Sequence, residues 1–287
     1  MEHFLEILSH TLLDTFKLVP FLFLTYLLME FLEHKSGNAA ENLLRRSGKV
    51  GPLLGGLLGV VPQCGFSAAA SGLYSGRVIT AGTLLAVFLS TSDEMLPIMI
   101  SHGAPAGEVF KILGIKLAVA VAVGFLVDAV ARLYHRKWVA EAQEPQIEAF
   151  CEREHCDCHD HFALSALKHT LSVTLFILIV TFALNLIIHG VGEDKLAEFV
   201  LDRPVIGNVL AALVGLIPNC ASSVVLTELY LGGILSLGCV LSGLLVNAGI
   251  GIALLFRNNR PVRDSFRIVG ILWLVGALTG ILIDLIF

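Results

Sequence analysis

The chain has 287 residues and is strongly apolar: hydrophobic residues make up 56% of it, charged residues only 15%, and the mean hydropathy is +0.82. Soluble domains carry nearer a quarter charged residues, so this composition excludes a soluble globular protein and predicts a polytopic integral membrane protein. The net charge of -5 says nothing about nucleic-acid binding, but the sequence has no basic stripe or aromatic platform, so no nucleic-acid partner is predicted.

Eight apolar runs of about 20 residues follow one another along the chain and are candidate membrane segments. They lie near 11–32, 51–75, 79–100, 109–134, 168–189, 204–231, 233–256 and 266–287. A polar stretch at 135–162 divides the runs into two sets of four. The predicted organisation is therefore a first transmembrane repeat at 1–134, a linker at 135–162, and a second transmembrane repeat at 163–287.

The two halves repeat one another at a constant offset of 156 residues. The sequence GVVPQC, from Gly59 to Cys64, reappears as GLIPNC, from Gly215 to Cys220. Further identities at the same offset pair Gly51 with Gly207, Ser67 with Ser223, Tyr74 with Tyr230, Gly82 with Gly238, Pro105 with Pro261, Gly124 with Gly280 and Asp128 with Asp284. Identities in register over such a length indicate an internal duplication.

The distribution of basic residues predicts that the two repeats have opposite orientations in the membrane. With eight simple crossings, the basic clusters at 132–137 and 257–267 would lie on opposite faces, against the positive-inside rule. If 51–75 and 204–231 are instead re-entrant hairpins bent at their prolines, nearly all basic residues share the cytoplasmic face. A steeply broken span is the alternative to a hairpin.

The predicted fold is therefore an all-α integral membrane protein with two inverted-topology repeats. Each repeat has three transmembrane helices and one re-entrant or broken helical hairpin. We expect the protein in the plasma (inner) membrane, with both termini outside and the linker in the cytoplasm. The duplication is complete within one chain, so a monomer can function, although a homodimer is common for such scaffolds.

The paired motifs have the composition of a substrate site. Proline breaks a helix in mid-membrane, and the backbone groups that it frees must be buried in protein or line a cavity. Second half-helices beginning at Gly65 and Ala221 would direct their free amides towards the substrate. The predicted substrate-binding residues are Pro62, Gln63, Cys64, Ser67, Pro218, Asn219, Cys220 and Ser223, with Thr91 and Asn247 from the runs that follow. The alternative is a structural kink in which the cysteines only pack as small hydrophobes.

Two carboxyl groups interrupt the third apolar run. Asp93 and Glu94 lie within 81–100, where a charged side chain is costly and is seldom present without a function. The second half has Gly249 in place of Asp93, so the acidic function belongs to the first half alone. We expect Asp93 and Glu94 to bind a cation or the coupling proton, unless they lie at a helix end near the outer face.

The linker is rich in residue types that bind metals. It holds three cysteines and three histidines within eleven residues, and thiolates with imidazoles suit zinc, copper and other thiophilic metals. The predicted ligands are Cys151, His155, Cys156, Cys158, His159 and His161. We expect this metal ion to be collected or sensed, not translocated, with a solvated linker as the alternative. No other cofactor is predicted.

With these elements, the chain resembles the heavy-metal exporter family of polytopic membrane proteins, which are manganese or arsenic permease-like. The VPQC-GFS and IPNC-SS elements, the STSDEMLP stretch and the His/Cys-rich linker carry the resemblance, which extends over essentially the whole chain. It implies a secondary transporter that exports a metal or metalloid species, with the paired motifs at its centre.

Residues and resemblance together predict proton-coupled efflux, with membrane lipid and a small ion or small molecule as the partners. An organic-anion or lipid-linked-anion transporter on the same scaffold is the first alternative, because opposed half-helix N-termini favour an anion. A membrane-embedded enzyme is the less favoured alternative, since the sequence has no nucleophile–base pair and no HExxH-like motif.

Overall fold

The computed structural model describes residues 50–62, 65–92, 94–133, 170–179, 204–259 and 261–286, with a few isolated positions outside these ranges. Every regular element in these ranges is an α-helix, which confirms the predicted all-α class. Four helices in the described part of the chain are long and apolar enough to cross a membrane: Ala81–Ser101, Ala106–Leu133, Leu237–Asn258 and Val262–Ile286. The linker, with its six predicted metal ligands, lies outside the described residues.

The helices are numbered here in chain order. The first half contains α1 (Val50–Gly59), α2 (Gly65–Ser75), α3 (Ala81–Ser90), α4 (Met95–Ser101) and α5 (Ala106–Leu133). The second half contains α6 (Thr170–Ile179), α7 (Pro204–Gly215), α8 (Ala221–Leu231), α9 (Leu237–Val246), α10 (Ile250–Asn258) and α11 (Val262–Ile286). Two of the four long spans are therefore broken, one between α3 and α4 and the other between α9 and α10.

The helix boundaries repeat at the same offset as the sequence. The bounds of α2 and α3 recur, 156 residues later, as the bounds of α8 and α9. Pro62 lies between α1 and α2, and Pro218 lies between α7 and α8. The helices after the prolines, which are the second arms of the two hairpins, begin at Gly65 and Ala221, as predicted. The tight turn after each second arm also repeats, because Arg77 and Gly233 both have a positive φ, 60° and 72°. The duplication thus extends to backbone conformation.

Two equivalent aspartates hold the long helices onto the central ones. Asp128 on α5 accepts hydrogen bonds from the amide of Gly82 (2.9 Å) and the hydroxyl of Thr80 (2.7 Å) at the start of α3. In the second half, Asp284 accepts the equivalent bonds from Gly238 and Ser236, both at 2.9 Å. Each carboxylate satisfies an amide that a helix N-terminus leaves without an intrahelical partner. Because these bonds join helices, the two aspartates are structural groups.

The broken helices form the centre of the bundle. Every residue of α3 is buried, as is nearly all of α9, whereas α5 and α11 expose large apolar side chains such as Phe110, Leu126, Phe266 and Leu285. An apolar outer surface of this kind suits contact with lipid tails. The halves interlock because α2 packs against α10 and α8 packs against α4.

Helix α1 runs beside α3 in the same direction. Near its start, Gly51 packs against the side chain of Thr83, and at its end Gly59 packs against Ser90. Helix α2 then ends at Ser75, only a short turn before α3 begins. Helices α1 and α2 therefore form a hairpin beside α3. Helix α1 runs from the level of the start of α3 to the level of its end, and α2 returns to the level of the start.

We predict that Gly82→Ala and Gly238→Ala destabilise the protein. A methyl group at Gly82 would overlap the carbonyl oxygen of Gly124 and the carboxylate of Asp128, and Gly238 has the equivalent neighbours. Such overpacking costs about 1–3 kcal/mol of unfolding free energy, which thermal unfolding in detergent would detect. Gly114→Ala and Gly270→Ala are matched controls, since a methyl there meets no atom within 4 Å. Equal shifts for both pairs would contradict the packing described here.

Candidate functional site

Each motif turn lies beside the C-terminal end of the central helix in its own half. Gly59, which opens the first motif, is so close to Ser90 that a methyl group on it would overlap the serine hydroxyl. Gly215, which opens the second motif, packs in the same way against the backbone of Gly243 on α9. Both prolines are therefore next to a place where a membrane span is broken.

The break between α9 and α10 is built around one asparagine. Asn247 is buried, and its side-chain oxygen accepts a hydrogen bond from the amide of Gly249 at 2.9 Å. Gly249 has φ 51° and ψ -136°, a conformation that residues with a side chain rarely adopt. The amide nitrogen of Asn247 donates to the hydroxyl of Ser222 at 2.7 Å, and Ser222 donates to the carbonyl of Asn219 at 2.9 Å. The second motif is thus hydrogen-bonded to the second break.

The first hairpin reaches this same break from the other half. Gly251, in the first turn of α10, approaches Ser67 so closely that a methyl group on it would lie 2.9 Å from the Ser67 Cβ. One turn further along α2, the hydroxyl of Ser71 donates to the carbonyl oxygen of Gly251 at 2.7 Å. Elements of both motifs therefore converge on 247–251.

A buried lysine joins the two breaks. Lys116, in the middle of α5, is 0% exposed, and its ammonium donates to the main-chain oxygens of Thr91 and of Leu244, the latter at 2.7 Å. Thr91 follows the end of α3, and Leu244 lies in the last turn of α9, where carbonyl groups have no partner further along the helix. Sequence reasoning missed Lys116, although a lone lysine within a long apolar helix is itself the signal of a functional residue.

The first break is also lined by hydroxyl groups. Thr91 and Ser92 are buried, and their hydroxyls donate to the carbonyls of Val87 (2.7 Å) and Ser90 (3.1 Å). Glu94 is partly buried and immediately precedes α4. Asp93, the other predicted coupling residue, lies outside the described residues.

The predicted substrate-binding residues are only partly brought together. Those that are buried at or near the breaks are Ser67, Thr91, Asn219, Ser223 and Asn247. Pro218 and Cys220 are partly exposed, Pro62 is exposed, and Gln63 and Cys64 lie outside the described residues. Among the residues that the structure describes, no group of three His, Cys, Asp or Glu side chains is arranged to hold a metal ion. The described part of the site consists of hydroxyls, amides, carbonyls and one ammonium, together with the thiol of Cys220 and the carboxyl group of Glu94.

Residues 3–191 of the chain match the model of a protein family described as "Putative, 10TM heavy-metal exporter". The chain belongs to this family. With its long apolar helices, this membership makes the protein a transmembrane transporter of the metal-efflux type. The matched region includes the first motif, the first break and Lys116, and it ends before the second motif. No curated protein and no solved structure matches the chain.

We predict that Lys116→Met destabilises this exporter more than Leu272→Met does. The two positions are equivalent in the repeat and both are fully buried, but only Lys116 satisfies carbonyl groups at the breaks. Each carbonyl that loses its partner in the interior costs about 1–3 kcal/mol, which thermal unfolding in detergent would detect. A Lys116→Met variant as stable as the wild type would mean that desolvation of the ammonium offsets its hydrogen bonds.

Proposed function

We propose that this exporter is a secondary transporter that moves a metal or metalloid species through a site at 247–251. The observation that carries the proposal is the convergence of three elements on this segment and the residues next to it. The helix after the second motif contacts it through Ser222, and the first hairpin contacts it through Ser67 and Ser71. Lys116 of α5 links the first break to Leu244, just before this segment. Broken helices that meet in this way are how secondary transporters present backbone groups to a solute.

The chemistry of the site supports a small polar solute. In lipid, non-helical backbone is stable only where it is buried in protein or lines a water-filled cavity, and two breaks side by side are suited to line such a cavity. Cys220 is partly exposed directly before α8, and Cys64 is its counterpart in the first motif. Thiols in equivalent positions suit a thiophilic metal or metalloid. Asp93 and Glu94, at the first break, are the proposed proton-coupling residues.

The contacts between distant residues support the inverted topology. The hydroxyl of Tyr74 donates to Asp264 at 2.6 Å, and the guanidinium of Arg257 donates to the carbonyl and hydroxyl oxygens of Ser172. Eight simple crossings would place the members of each pair on opposite faces of the membrane. Two re-entrant hairpins place them on the same face.

A second candidate, an anion transporter on the same scaffold, is favoured by one observation. The buried ammonium of Lys116 and the N-termini of α2 and α8 all carry positive charge near the breaks. An oxyanion of a metalloid would satisfy this arrangement and the family description together. An organic anion would satisfy the arrangement alone.

The topology predicts that the linker and the C-terminus lie on opposite sides of the membrane. Reporter fusions would test this, with green fluorescent protein inserted in 135–162 and alkaline phosphatase fused after Phe287. We expect the first to fluoresce, as it does in the cytoplasm, and the second to be active, as it is outside. With eight simple crossings, the linker and the C-terminus would instead lie on one side, and only one fusion would report.

The substrate is tested by thermal stabilisation of the purified protein with zinc, manganese, arsenite and organic anions. We expect one thiophilic metal or metalloid to raise the unfolding temperature of the wild type. The same increase is expected in a variant that lacks 151–161, and no increase is expected in the double variant Cys64→Ala/Cys220→Ala. Cys239→Ala is the matched control, because this thiol is buried in α9 among apolar side chains. Metals that act only through the linker, with an organic anion stabilising the rest, would refute metal export and support the second candidate.

A further inference from the structure

The halves of the protein meet at two equivalent interfaces. Helix α2 packs against α10 at one, and α8 packs against α4 at the other. Each interface has a tyrosine near the end of its hairpin helix, Tyr74 or Tyr230, and each tyrosine has a counterpart acid in the first turn of a long helix, Asp264 of α11 or Glu108 of α5. These residues are equivalent in pairs at the offset of 156. In the proposed topology, the Tyr74 pair lies at the cytoplasmic face and the Tyr230 pair at the outer face.

The cytoplasmic interface is closed by hydrogen bonds. Tyr74 is 1% exposed, and its hydroxyl donates to an oxygen of Asp264 at 2.6 Å. The same oxygen accepts a hydrogen bond from the side-chain amide of Asn259 at 3.2 Å, and it lies 3.7 Å from the guanidinium of Arg77. Ser71 adds its bond to the carbonyl of Gly251, one helical turn away on α2. These bonds hold α2 against α10 and α11 at this face in the conformation described.

The outer interface lacks the equivalent bond. Tyr230 is only partly buried and Glu108 is exposed, and no hydrogen bond joins the phenol to the carboxylate. Apolar packing of Met95 and Met99 with Leu226 holds this interface. The tyrosine at the cytoplasmic interface is therefore hydrogen-bonded to its acid, whereas the tyrosine at the outer interface is not.

We propose that Tyr74–Asp264 is a latch that closes the cytoplasmic face, and that Tyr230–Glu108 closes the outer face when this latch opens. Two equivalent halves have two equivalent ways of packing on one another, and a difference between equivalent pairs shows which one is present. The protein opens alternately to the two sides of the membrane by breaking one tyrosine–acid hydrogen bond and forming the other. The latch rests on the transporter part of the proposed function and holds whichever solute is carried.

Hydrogen–deuterium exchange of the full chain in lipid nanodiscs tests the latch without any ligand. Tyr74→Phe removes one hydroxyl, and Tyr230→Phe is the matched control at the equivalent, unbonded position. Loss of a hydrogen bond to a charged group shifts a two-state equilibrium about tenfold or more. In Tyr74→Phe we expect exchange about tenfold faster in α2 and α10, together with slower exchange in α8 and α4. In Tyr230→Phe we expect no increase in α2 or α10.

The opposite changes at the two interfaces are the decisive result. Faster exchange at both interfaces, or at α2 and α10 alone, would show that Tyr74–Asp264 is only a structural bond and would overturn the latch. Asp264→Asn provides a second variant, in which the carboxamide keeps the shape but weakens the bond, and it must give the same pair of opposite changes. The metal-binding test above is independent, so failure of metal export and failure of the latch are distinguishable.

Discussion

The structure depends on the requirement that backbone groups within a membrane find partners inside the protein. Two spans of this bundle are broken near their middle, and each break leaves carbonyl and amide groups without helical partners. The side chain of Asn247 satisfies one break locally, and the ammonium of Lys116 satisfies a carbonyl from each break. The motif turns are held next to these breaks by glycine contacts. The two breaks and the two motif turns therefore lie together because they share these partners.

The duplication accounts for the helices and the bonds that the two halves share, and differences between equivalent residues account for the chemistry at the breaks. The groups that fix helix positions, such as the Asp128 and Asp284 carboxylates, are the same in both halves and make the same bonds. The groups at the breaks differ, because Thr91 in the first half is equivalent to Asn247 in the second, and Lys116 is equivalent to Leu272. A solute lying between the halves would meet different chemistry on its two sides. Asymmetry of this kind allows a repeat protein to bind one solute in one orientation.

Much of the scaffold could be predicted because its signals are local. Hydropathy marks the spans, proline marks the hairpin turns, and the constant offset marks the duplication. The break at Asn247 could not be predicted, since its residues are small or apolar and its geometry depends on a hydrogen bond to the distant Ser222. The partners of Lys116 were equally hidden, because one of them is a main-chain carbonyl 128 residues away. Periodicity in one sequence contains no information on such contacts.

The short arms suit movement of one half against the other. Helices α2, α3, α8 and α9 have 10 or 11 residues, about 15 Å each, and their backbone hydrogen bonds are internal. A shift between the halves therefore keeps each arm helical, but it disturbs the contacts that cross between halves and exposes to water the helices that lose their partner. Of these, the bonds from Ser71 to Gly251 and from Lys116 to Leu244 both lie next to the second break, whereas the bond from Tyr74 to Asp264 lies further towards the cytoplasmic side in the proposed topology. The lysine is thus placed to act as the pivot, since a contact at the centre moves least when the ends open.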